Sequence, residues 1–246
     1  MKPFLILQLR PEAEASDDEY AAFLRKGGLD ASDTRRIRLE REDIPADLNL
    51  DEYSGVIVGG GPGCVSDAPE DKSPEEARIE AEILALMPQI TARDVPFMGC
   101  CYGIGVLAHH LGAPVNKSRY GEGVGTADCS VTEAGRNDPI LAGLPARFEA
   151  FVGHKEAVQD LPQGAVHLLV APTCPYQMIR YGQNVYATQF HPEADSDGIE
   201  TRIRIYKHKG YFPPEQAQSL IDMCRAADVH APEKILRNFV RHYATD

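Results

Sequence analysis

The sequence predicts an α/β fold built on a parallel sheet, and three observations carry that reading. Phe4 to Leu9, Gly55 to Val58 and Val95 to Met98 are short apolar runs bounded by turn formers, the pattern of strands covered on both faces. Segments with helical spacing lie between and after them, so strand and helix alternate. From Gly121 to Phe190 the pattern favours strands, and after Asp195 it becomes helical again.

The apolar run that begins at Phe4 is far too short for a signal peptide or a membrane span. It therefore reads as the first buried strand. Asp17 to Lys26 places Tyr20, Phe23 and Leu24 on one helical face, and Gly27-Gly28 stops the helix. A second helix starts at Ser73-Pro74-Glu75-Glu76, with Ser as cap, Pro at the first position and acids in the first turn. It carries Ile79, Ile83, Leu84 and Met87 inward. Turns fall at Gly135 to Pro139, Leu161 to Gly164 and Arg180 to Asn184. Pro213-Pro214-Glu215 and Ala231-Pro232-Glu233 open two late helices, the second with Leu236, Phe239, Val240 and Tyr243 as a docking face. No repeat, low-complexity segment or linker interrupts the chain, which reads as one domain over 1–246 with a helical C-terminal extension over 196–246.

The 246 residues are long enough to bury a substantial core. A hydrophobic share of 43% and a charged share of 25% are those of a globular protein, and disorder is excluded for most of the chain. A net charge of -12 with no basic stripe disfavours nucleic acid and anionic membrane faces as partners. The six cysteines form no CxxC framework, so neither a structural zinc site nor a disulfide scaffold is expected. No metal or other cofactor is indicated, and a reduced cytoplasmic protein is the simplest account.

The most informative stretch is Val95 to Leu107, where an apolar strand runs into Gly99-Cys100-Cys101-Tyr102-Gly103 and a helix follows at once. This is the cysteine form of a nucleophile elbow, in which glycines let backbone close on a sharply turned central residue. The helix aims its positive end at Cys101, which favours the thiolate. The Tyr102 N–H is then placed to donate to an oxyanion. On this motif alone a buried core thiol remains the alternative. Cys100 competes for the role, but only Cys101 lies midway between Gly99 and Gly103.

A thiolate nucleophile needs a base and an orienting carboxylate. Tyr186 to Glu193 reads as a strand ending at Phe190, with His191 and Glu193 just beyond its carboxyl end, where active sites of open parallel sheets lie. Gly59 to Gly63 is a second glycine-rich segment after a strand. It lacks the Lys-Ser/Thr of a phosphate loop, and Pro62 breaks the dinucleotide-binding spacing. Backbone N–H groups facing the pocket would suit an oxyanion hole; a simple tight turn is the alternative.

Taken in order, Gly59-Gly60-Gly61-Pro62-Gly63, Gly99-Cys100-Cys101-Tyr102-Gly103 and Gln189-Phe190-His191-Pro192-Glu193 resemble the three signatures of class I glutamine amidotransferases. The likeness extends to the glutaminase domain of GMP synthetase and its stand-alone relatives. Arg119 to Glu122 and Gly153 to Val158 add support, and the resemblance covers roughly 4–195. It implies a flavodoxin-like parallel or mixed sheet with flanking helices and a Cys101-His191-Glu193 triad. It also implies oxyanion contacts from Gly60, Gly61 and Tyr102, with Tyr120 and His154 near the charged end of the substrate. Cys101 would attack the side-chain amide of glutamine, and water would then hydrolyse the γ-glutamyl thioester to glutamate.

One position departs from the family. Four residues after the nucleophile it usually has Gln, and this chain has Gly105. A missing hydrogen-bond partner there would cost about 1–3 kcal/mol in binding. The leading expectation is a glutaminase that feeds ammonia to a separate synthase subunit. The alternatives are a γ-glutamyl peptidase, for which Gly105 leaves room for a larger substrate, and a non-catalytic binding module. The locally basic stretch Thr201 to Lys209 reads as a solvated helix face, with a lid or partner surface as the sharper possibility.

Overall fold

The computed structural model describes residues 2–244, and its sheet starts from the apolar runs. In chain order the elements are β1 Phe4–Gln8, α1 Ala13–Gly27, β2 Thr34–Arg38, β3 Gly55–Val58 and α2 Pro74–Arg93. Then come β4 Phe97–Cys100, α3 Tyr102–His110, β5 Val115–Asn116, β6 Glu122–Val131, β7 Arg147–His154 and β8 Ala157–Val158. The chain closes with β9 Ala165–Val170, β10 Met178–Tyr181, β11 Val185–Thr188, α4 Ser196–Tyr206, α5 Ala217–Ala226 and α6 Glu233–Tyr243. Nine strands form one mixed sheet in the order β2-β1-β3-β4-β11-β10-β9-β6-β7. The run from β2 to β11 is parallel, and the run from β11 to β7 is antiparallel.

Parallel strands alternate their side chains between two covered faces. Phe4, Ile6, Met98, Cys100 and Tyr186 pack with Phe23 of α1 and Phe239 of α6. Leu5, Leu7, Val56, Val58 and Phe97 pack on the other face with Ile83 and Met87 of α2 and Val106 of α3. A smaller third cluster joins Phe151 to Ile199 and Ile203 of α4 and Ile221 of α5. The extension is therefore docked on the sheet domain through apolar contacts.

Local signals act as expected. Ser73 accepts from Glu76 N, and the Glu76 side chain returns to the Ser73 N–H, a reciprocal cap for α2. Gly28 ends α1 in the left-handed conformation. Other details differ from the sequence reading. α1 begins at Ala13 rather than Asp17, and β4 is Phe97–Cys100 rather than 95–98. β2, with the sequence Thr-Arg-Arg-Ile-Arg, buries only Ile37 fully, so this edge strand has no apolar run to mark it. β11 stops at Thr188 rather than Phe190, and the Thr188 hydroxyl donates to the Phe190 carbonyl at 2.9 Å, fixing the turn that follows.

The elbow depends on one glycine more than the other. A Cβ at Gly99 would lie 2.9 Å from backbone atoms of Gly103 and from the Phe97 ring, and backbone cannot yield as a side chain can. Gly99→Ala is expected to cost about 1–3 kcal/mol. In thermal melts the midpoint should fall by several degrees, and an unchanged midpoint would refute the close approach.

Candidate active site

Every strand of the parallel half that borders the site delivers a functional group just past its carboxyl end. β1 leads to Arg10, β3 to the glycine loop, β4 to Cys101 and β11 to His191. This is where open α/β sheets place ligands, because loops diverge there and helix N-termini converge. Cys101 is the N-cap of α3 and sits at φ 54°, ψ -88°, a strained conformation for a non-glycine residue. Its N–H donates to Thr188 O at 2.8 Å, which ties the elbow to the end of β11.

His191 and Glu193 are buried, and His191 Nδ1 lies 2.9 Å from Glu193 Oε1. With Nδ1 so engaged, Nε2 is the nitrogen left for other partners. Burial pushes His191 below its ordinary value; Glu193 opposes that, while Arg202 and Arg10 add to it. Burial alone would raise the Glu193 carboxyl, but His191 and Arg202 outweigh it and hold the group well below the usual carboxylate range.

The thiol behaves differently from the sequence expectation. Burial pushes Cys101 up to about 12, against the pull of Arg10. Burial thus works against the thiolate that the N-terminus of α3 favours, and a neighbouring base could take the proton. Cys100 is fully buried in the core, and burial pushes its thiol well above the ordinary value, which leaves Cys101 as the accessible sulfur of the pair.

Two cavities meet at Cys101 and share Gly61, Gly153 and Tyr211 as walls. One is polar and includes Tyr102, His154, Lys155, Glu156 and Gln189. The other contains His191, Arg10 and Arg202 among apolar side chains. A separate groove on the far side of the glycine loop, lined by Asp67, Glu75, Glu76 and Glu80, does not reach Cys101.

The predicted contact residues divide. Gly61 lines both cavities at Cys101, and Tyr102 opens α3, where a first-turn N–H has no intrahelical acceptor. The Gly60 N–H instead donates to the buried Glu19 carboxylate at 3.2 Å, so it is not free for an oxyanion. Gly60 has another reason to be glycine: a Cβ there would meet His191 Cε1 at 2.5 Å. His154 lines the polar cavity, held by the Glu156 carbonyl at 2.7 Å and Glu122 at 2.8 Å. Tyr120, at φ 66° with the Arg119 guanidinium over its ring, lines neither cavity.

Glu122, His154 and Cys174 bring potential ligand atoms within 4.8 Å of one another. Glu122 is already engaged by His154, Gln177 and Thr173, the pattern of a satisfied buried carboxylate.

Gly105 does not leave open room. A Cβ there would stand 3.0 Å from Glu156 Oε1, and both Glu156 oxygens are held, by Val65 N at 2.9 Å and Ser66 N at 2.8 Å. Glu156 takes up the space that a longer residue would claim.

Sequence reasoning missed four groups. Arg10 donates to Glu19 at 2.8 Å and to the Tyr206 hydroxyl at 3.3 Å. Arg202 of α4 donates to Glu193 Oε1 at 2.9 Å. Tyr211 donates to Pro62 O at 2.9 Å across the glycine loop, with Lys155 over its ring. Glu156 is the fourth. The basic stretch is divided: Arg204, His208 and Lys209 are exposed as on a solvated face, while Arg202, Ile203 and Tyr206 are buried against the site. Glu156 and Arg202 lay in stretches already singled out, Gly153 to Val158 and Thr201 to Lys209, without being named for a role; Arg10 stood just past a strand end, and nothing local marks Tyr211.

Such features place the chain among α/β proteins with a cysteine elbow beside a histidine–carboxylate pair. The family description "Glutamine amidotransferase class-I" matches residues 31–204, and the chain belongs to that family. GMP synthase (glutamine-hydrolyzing) of Thermosipho melanesiensis is 30% identical over 178 residues, covering 69% of this chain and 31% of that protein. The enzyme of the same name from Thermomicrobium roseum is 33% identical over 142 residues, covering 56% and 23%. The chain thus spans less than a third of these relatives. A glutamine amidotransferase structure from Thermotoga maritima superposes with a TM-score of 0.73 at 20% identity, covering 99% and 98% of the two chains. One from Methylobacillus flagellatus gives 0.75 at 22%, covering 99% and 94%. These two likenesses establish the flavodoxin-like mixed sheet with its C-terminal helices. No helix among the described residues is long and apolar enough to cross a membrane.

Arg202 acts on the imidazole through Glu193 and through its own charge. Arg202→Met should raise the His191 pKa, because a cation that lowers it is gone. The acidic limb of the kcat/KM profile is then expected to move to higher pH, while Arg202→Lys, which keeps the charge, holds the limb near the wild-type position. Identical limbs in all three proteins would refute the coupling.

Proposed function

We propose that this chain hydrolyses the side-chain amide of glutamine through a γ-glutamyl thioester on Cys101. The observation that supports the reading best is the shared cavity: Cys101 and His191 line it together, and Glu193 fixes the imidazole tautomer. In the reaction His191 Nε2 takes the Cys101 proton as sulfur bonds to the amide carbon. The oxyanion is met by the Gly61 and Tyr102 N–H groups. The carbon–nitrogen bond then breaks, and ammonia leaves with the proton from His191. Water, deprotonated by the same nitrogen, attacks the thioester and returns glutamate and the thiol. In a cytoplasmic setting that keeps Cys101 reduced, the ammonia would pass to a synthase on a separate subunit.

A second reading, a γ-glutamyl peptidase with the same chemistry, is favoured by the cavity beside His191, which is larger and more apolar in lining than ammonia requires. Acid-quenched protein incubated with glutamine should carry a glutamyl adduct on the peptide containing Cys101, and glutamate should accumulate in the unquenched sample. An adduct on another residue, or glutamate without any adduct on Cys101 under rapid quench, would refute the assignment.

A further inference from the structure

The hydrolase reading assigns different halves of a substrate to the two cavities. The base must hand its proton to the departing nitrogen, so the cavity that contains His191 receives the leaving group. The acyl half falls to the polar cavity, where Lys155 and Glu156 offer both signs of charge beside Cys101. The leaving-group side is built largely by the extension. Ile199, Ile203 and Phe212 face Val124 there, with Tyr206 and Tyr211. An ammonia molecule gains nothing from such walls, whereas an aliphatic or aromatic side chain gains about 25 cal/mol for each Å² it buries.

A polar feature sits among these walls. Arg202 lines the same cavity and is only 6% exposed. One of its nitrogens, Nη2, holds Glu193, while Nε and Nη1 have no hydrogen-bond partner among the described residues. Unpaired buried guanidinium donors cost free energy, and each of the two can donate a charge-assisted hydrogen bond to a carboxylate oxygen. Apolar walls with a carboxylate-binding cation are the requirements of an apolar α-amino acid.

We propose that the substrate is a γ-glutamyl dipeptide whose C-terminal residue is apolar, with its side chain against Ile199, Ile203, Val124 and Phe212 and its carboxylate on Arg202. This rests on the second reading above, the peptidase, which it takes in place of the glutaminase, and it narrows the leaving group. The balance is that of the thioester mechanism: the isopeptide carbon–nitrogen bond breaks, the free amino acid leaves with the His191 proton, and water releases glutamate from Cys101.

The test compares kcat/KM of the full chain for γ-glutamyl-leucine, γ-glutamyl-leucinamide, γ-glutamyl-aspartate and glutamine, with Phe212→Ala and Val124→Ala as variants. Both variant positions are half-buried, and melting temperatures check that each protein folds. The leucine dipeptide is expected to exceed the other three by about tenfold or more, the scale of discrimination that a fitted apolar pocket gives. Each variant should lower the leucine dipeptide several-fold more than it lowers glutamine. Glutamine turned over best, or the aspartate dipeptide and the leucinamide turned over as well as the leucine dipeptide, would overturn the inference while leaving the hydrolase intact. Equal losses on all substrates in both variants would overturn it as well. No Cys101-dependent release from any of the four would instead overturn the hydrolase reading itself.

Discussion

Cys101→Ala is expected to abolish glutamate release, with a loss on the order of 10⁵-fold in kcat/KM, the scale seen when a covalent nucleophile is removed from an intact array. The protein should stay folded. Cys101 keeps part of its surface open, and alanine inherits the same φ of 54° that cysteine already tolerates, so the melting temperature should move little. Cys100→Ala is the control, since that sulfur faces the core. It should lose some stability through its small cavity and keep its turnover. Activity that survives Cys101→Ala, or that falls only in Cys100→Ala, would relocate the nucleophile.

Glu193→Gln is expected to have the second-largest effect, and it separates chemistry from stability. An amide nitrogen in place of an oxygen can donate to His191 Nδ1, which forces the wrong tautomer and loses the charge that supports the imidazolium. A drop in kcat of about 10³- to 10⁴-fold follows. The same change leaves Arg202 a buried cation without its anion, a loss of about 3–5 kcal/mol. Adding Arg202→Met should restore much of the stability, because the unpaired charge is gone, and none of the activity. The pH dependence has a fixed sign. The Glu193 pKa is depressed from 4.5 on folding, so its stabilisation is full above that pH and fades as pH falls toward the folded value. The deficit of Glu193→Gln should therefore shrink in acid. A deficit that is flat across that window would refute the buried ion pair.

How much was legible in the sequence follows from how far each signal had to reach. Phe4 to Gln8 and Gly55 to Val58 declared themselves as strands because burial on both faces makes every residue apolar. The elbow and the pair at His191 and Glu193 were legible because their geometry is local, set by glycines and by two-residue spacing. β2 was not, because only one of its faces needs apolar residues at the sheet edge. Arg10, Glu156, Tyr211 and Arg202 were not, because each acquires its role from a partner outside its own element, as Tyr211 does from Pro62. The basic stretch shows the limit most clearly. Its charges suggested solvent, yet the member that matters turns inward to Glu193, 9 positions away.

The shared oxygen of Glu193 has an evolutionary consequence. One carboxylate oxygen faces both the imidazole and a guanidinium from α4, so the tail is not a module that can be exchanged for another. A chimera that grafted a foreign tail after Asp195 would inherit Cys101 and His191, but with one anchor of the carboxylate missing and one wall of the cavity replaced. Substitutions that retune selectivity in α4 would then be filtered by their effect on turnover, and drift in this segment should be slower than its surface position suggests.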